Sequence, residues 1–101
     1  MDLADQDLIA VTARLRSVLA AARGKLRGVD ALALAGFEER SPRRLILVGR
    51  AMRELGWKRG RYRFDGELLS AFAKGSFLER EVILDVAPGE GGQLVVKGRA
   101  P

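Results

Sequence analysis

The chain has 101 residues, room for one domain and rarely two, and 48% of them are apolar, enough for a packed core. It carries 18 Lys and Arg against 13 Asp and Glu, a formal charge of +5, with no histidine and no cysteine. Those absences exclude a disulfide framework, a thiolate nucleophile, Cys-ligated zinc and every mechanism built on imidazole.

The charge is unevenly spread. Between residues 40 and 63 stand nine basic residues, Arg40, Arg43, Arg44, Arg50, Arg53, Lys58, Arg59, Arg61 and Arg63, against the single acid Glu54, a net +8. The remaining 77 residues hold nine basic and twelve acidic groups, a net −3. Eight of the nine are arginine, whose planar fork of donors suits phosphates and guanine edges where lysine offers a point charge.

Residues 1–27 read as one long N-terminal helix. Leu8, Leu15 and Ala22 recur at seven-residue intervals, with Val11, Val18, Leu19 and Leu26 filling the same stripe. Asp2, Asp5 and Asp7 at its start and Arg23, Lys25 and Arg27 at its end complement the helix dipole. The heptad-like spacing fits a homodimerising coiled coil as well as an amphipathic helix that covers its own core, and the second reading is preferred. The acidic start is unlike a signal peptide and no apolar run reaches the ~20 residues of a membrane span, so a cytoplasmic protein is expected, at a bacterial nucleoid or in a phage-infected cell.

Residues 29–56 read as a helix-turn-helix. A short helix is capped by Asp30 and stopped by Gly36; after a turn over residues 37–40, Ser41 caps a third helix with Pro42 at its first position and Gly56 just beyond its end. On that helix Leu45, Val48, Met52 and Leu55 share one face, with Arg43, Arg50 and Arg53 opposite and Arg44 at the flank.

After Gly56 the period changes to two. Arg59, Arg61 and Arg63 fall on one face of a strand and Tyr62 and Phe64 on the other, Asp65-Gly66 signals a tight hairpin, and the returning strand completes a wing over residues 57–75. Trp57 reads as a core anchor following the helix stop. Residues 79–98 read as a second hairpin whose loop holds Gly89, Gly91 and Gly92; a phosphate cradle would need a following helix, a lysine and a Ser/Thr, so the glycines read as a turn.

The order of elements predicts one α+β domain, a winged helix-turn-helix of three helices and a β-hairpin wing with an additional C-terminal β-hairpin. Its expected role is non-enzymatic binding of DNA. The third helix would enter the major groove and the Arg-rich wing would grip the backbone, all nine basic residues contributing. Duplex is preferred to single strands, and RNA stays open as a partner. The competing reading is a protein-interaction adaptor working through the N-terminal helix. The scattered carboxylates offer neither a metal-ligand spacing nor an acid/base pair, so no metal, cofactor or catalytic residue is expected.

The run Val48-Gly49-Arg50-Ala51-Met52-Arg53-Glu54-Leu55-Gly56-Trp57-Lys58-Arg59, followed by Arg61, Arg63, Gly66 and Phe72, resembles the C-terminal region of phage and plasmid primase–helicase proteins of the virulence-associated E type. The resemblance spans about residues 42–75 and includes neither a Walker lysine motif nor a primase acid cluster. It implies a small winged-helix tail that engages DNA in mobile-element replication, without polymerase or ATPase chemistry. Transcription regulation is an equally suited role for such a fold.

Overall fold

The computed structural model describes residues 3–38 and 41–100, the side chains of residues 3–6 excepted. The fold is mixed α+β. Helix α1 (Leu3–Leu19) leads into strand β1 (Gly24–Arg27), helices α2 (Gly28–Leu34) and α3 (Pro42–Glu54), the hairpin β2 (Lys58–Phe64) and β3 (Glu67–Lys74), and the hairpin β4 (Ile83–Pro88) and β5 (Leu94–Arg99). All five strands join in one sheet of order β2-β3-β1-β4-β5. β1 lies antiparallel to β3 and parallel to β4, so a four-residue strand connects the two hairpins.

This corrects the reading of residues 1–27 as a single helix. α1 ends at Leu19, and Gly24-Lys25-Leu26-Arg27 is the central strand. Gly24 takes φ +144°, and a Cβ there would sit 2.6 Å from the Val82 carbonyl oxygen, so the chain enters the strand at a residue only glycine serves comfortably. Leu26 does belong to the core, but it reaches it from the strand.

α2 also begins earlier than expected. Arg27 is its N-cap residue with no side-chain capping bond, and Asp30 lies in the first turn, 3.6 Å from the Arg27 guanidinium, instead of capping it. At α3 the sequence signals act as read: Ser41 Oγ accepts from the Arg44 amide at 3.2 Å and Pro42 opens the helix. Both helices end alike. Gly36 N–H donates to the Ala33 carbonyl and Phe37 N–H to that of Leu32; Gly56 N–H donates to Arg53 and Trp57 N–H to Met52. These are Schellman closures, with glycine at φ +91° and +90° in the left-handed position. Lys74 on β3 adds its ammonium to the Leu55 carbonyl at 2.6 Å, a cation at the negative end of α3.

The core lies between the three helices and one face of the sheet. α1 contributes Leu8, Val11, Leu15 and Leu19, α3 Val48, Ala51 and Met52, and the sheet Leu26, Phe72 and Leu84, with Trp57 3% exposed among them. Full burial of a leucine such as Leu15 stabilises by about 2 kcal/mol relative to exposure. The apolar stripe of α1 is thus consumed by the domain's own core.

A second cluster, Phe64, Ala71 and Ile83, occupies the helix-free face. The Lys25 ammonium and the Arg27 guanidinium lie 5.5 and 4.7 Å from the centre of the Phe64 ring. Cation–π attraction thus lets the ring cover two charged stems.

Candidate nucleic-acid interface

Strand register decides which way the basic residues face. Arg59 pairs with Phe72, Arg61 with Ser70 and Arg63 with Leu68, and Phe72 in turn pairs with Leu26. Cross-strand partners share a face, and Leu26 and Phe72 pack under the helices. Arg59, Arg61 and Arg63 therefore project to the helix side of the sheet, while Tyr62 and Phe64 belong to the other side, as the alternation predicts. Lys58 shares the face of Tyr62, so the strand separates it from the three arginines of β2.

Arg59, Arg61 and Arg63 are exposed. Arg59 borders a cleft of about 300 Å³ whose walls include Leu45 and Val48 of α3, which brings the start of β2 beside that helix. Arg63 turns back to donate to the Gly66 carbonyl at 3.2 Å.

On α3, Arg43, Arg50 and Arg53 are exposed on the face away from Val48 and Met52. Arg43 approaches Asp7 of α1 at 3.9 Å, a surface contact of little energy. Arg44 behaves differently: it is half-buried, its guanidinium 5.3 Å from the centre of the Phe37 ring. Among the described residues the side chains of Arg50, Arg53, Lys58, Arg59 and Arg61 have no hydrogen-bond or ion-pair partner. Arg40 lies outside the described residues.

Asp65 and Asp85 are spent on a different group of cations. Arg27 donates to Asp85 at 3.1 Å, and Arg99 donates to both Asp85 and Asp65, reaching Asp65 at 3.1 and 2.6 Å. Hydrogen bonds from Arg99 hold the Asp65 carboxyl below its ordinary value. At Asp85 burial pushes upward, but the hydrogen bonds from Arg99 and Arg27 together outweigh it and the net direction is again downward. Burial raises Asp30 despite the nearby Arg27. Charge is therefore sorted by location: acids and cations neutralise one another around Arg27 and Arg99, whereas Arg50 and Arg53 of α3 and Arg59 and Arg61 of β2 face solvent.

One residue on the basic face escaped the sequence reading. Ile46, 63% exposed, stands on α3 three residues after Arg43 and four before Arg50. A helical wheel centred on the arginines would have found it.

No group of three or more Asp and Glu side chains suited to a metal ion occurs among the described residues. Nor is any described helix long and apolar enough to cross a membrane. No protein-family model, curated protein or solved structure matches the chain.

Proposed function

We propose that this chain is a winged helix-turn-helix module that binds duplex DNA, with α3 in the major groove and the β2–β3 hairpin as the wing. The observation that carries the reading is the register of β2: it turns Arg59, Arg61 and Arg63 to the side of the sheet on which α3 packs, so the exposed arginines of the strand and of the helix can face one ligand. The order α1-β1-α2-α3-β2-β3, with β1 alongside β3, supports the same reading.

Phosphates would be held by Arg59, Arg61 and Arg63 and by the two ends of α3, where Arg43 and Arg53 lie. Arg50, at mid-helix, is the residue best placed for a bidentate contact to guanine. Arg44 stacks on Phe37 and assists from the flank, and Lys58 contributes long-range attraction only. The C-terminal hairpin β4–β5 extends the sheet and clamps the wing turn through Arg99.

The resemblance over residues 42–75 favours a replication protein of a phage or plasmid, acting in the cytoplasm. A small transcription regulator is the other role this module could serve. Selection of bound duplexes from a random pool tells them apart: one enriched palindrome supports a regulator, and the absence of an enriched palindrome supports a replication accessory. For the binding itself, the variant Arg50→Ala with Arg61→Ala should lose at least tenfold in duplex affinity. Unchanged affinity would end the proposal.

A further inference from the structure

Two residues on α3 are poorly explained by a purely electrostatic surface. Ile46 leaves 63% of its surface in water on a ridge it shares with Arg43, Arg50 and Arg53. These four positions are spaced three, four and three apart, so they form one line along the helix. Neither phosphate nor a counterion has any use for a branched aliphatic group there.

Gly49 is the second. It stands in the interior of α3, where glycine is destabilising relative to alanine. Its φ is not positive, and a Cβ added to it would meet nothing within 4 Å. Neither backbone conformation nor packing inside the chain calls for glycine. The gap it leaves lies next to Arg50 and between the turns that carry Ile46 and Arg53.

We propose that Ile46 and Gly49 make α3 a reader of thymine in duplex DNA, an inference that rests on α3 being the groove helix. The thymine C5-methyl is the only apolar group that standard base edges offer in the major groove, and neither the minor groove nor the backbone offers an equivalent. Ile46 supplies the apolar contact, and the flat surface at Gly49 lets the helix sit close enough to make it. Arg50 stands one turn from Ile46, so its guanine contact places thymine within a step or two of guanine. The same device disfavours RNA, whose uracil lacks the methyl and whose A-form major groove is too narrow for a helix.

The test uses a duplex enriched by the wild-type protein from a random pool, resynthesised with deoxyuridine in place of thymidine. Wild type should bind the uracil duplex about fourfold more weakly for each methyl contacted. Ile46→Ala, a change at an exposed position that leaves the fold intact, should bind the two duplexes equally. Gly49→Ala should raise the melting temperature yet weaken binding to the thymine duplex. Equal binding of the two duplexes by wild type, retained discrimination by Ile46→Ala, or binding without any enrichment would each overturn thymine reading while leaving the DNA-binding proposal standing. Gly49→Ala with full affinity would remove Gly49 from it. Failure of the wild type to bind any duplex would instead overturn both.

Discussion

Arg99 of β5 holds Asp65, in the turn after β2, through two hydrogen bonds of 3.1 and 2.6 Å, although β2 and β5 are opposite edges of the five-stranded sheet. Four strand spacings of about 4.8 Å would separate those edges by roughly 19 Å if the sheet were flat. The wing must therefore curl over the helix-free face, carrying Phe64 onto Lys25 and Arg27 as it does so. Curling that way leaves Arg61 and Arg63 on the outer, helix-side surface. In this fold the C-terminal hairpin positions the β2–β3 hairpin.

Removing the clamp should loosen the wing and little else. In Arg99→Ala, amide hydrogen exchange at Phe64, Asp65 and Gly66 should accelerate, while Leu15, Val48 and Met52 keep their protection. Both partners are exposed, so global stability should change little. Equal acceleration across the helices would mean that the clamp supports the whole fold.

Acid should release the same contact. Asp65 and Asp85 both titrate below their ordinary 3.8 when folded, so the unfolded chain takes up their protons first. Their stabilisation is complete above about pH 4 and is lost as pH falls through the lower folded values. Asp30, raised by burial, has the opposite sign: protonation relieves it. Amide shifts of Asp65 and Gly66, followed by NMR from pH 6 to about pH 2, should move only below about pH 4. A midpoint near neutrality would contradict the assignment.

Gly24 should be the least replaceable of the glycines. Gly24→Ala forces a Cβ to within 2.6 Å of the Val82 carbonyl at φ +144°, and should cost about 2–4 kcal/mol in urea denaturation. Gly66→Ala, also at positive φ but with open space around it, should cost only about 1 kcal/mol.

Trp57 is the single tryptophan and is buried at 3% exposure, which makes it a core reporter and not a stacking platform. Its emission should be blue-shifted, resist acrylamide and stay unchanged when single-stranded DNA is added. Trp57→Ala should destabilise by about 3–5 kcal/mol. Quenching by single strands would return Trp57 to the binding surface.

What the sequence made legible was local. Ser41, Pro42 and Gly56 carry the capping chemistry of α3 within the segment itself, and Asp65-Gly66 carries the hairpin turn, so both were readable without knowledge of the rest. β1 was not. Its four residues are a strand because Ala71–Lys74 and Ile83–Leu84 flank them, partners more than forty residues away in the chain. Leu26 extends the heptad of α1 by coincidence of spacing, which hid the break between Leu19 and Gly24. The clamp was invisible for the same reason: Arg27, Asp65, Asp85 and Arg99 acquire their relation only when the sheet curls. On the basic surface, alternation gave the common face of Arg59, Arg61 and Arg63, but only register showed it to be the helix side.

The most direct test of DNA binding through the α3 and wing arginines is the salt dependence of duplex affinity, followed by fluorescence anisotropy. With about six phosphates neutralised, wild-type affinity should fall about a thousandfold between roughly 50 and 200 mM salt, and the logarithmic slope should become shallower by about two in Arg50→Ala with Arg61→Ala. Wild-type affinity that barely changes with salt, or an identical slope in the double variant, would contradict it.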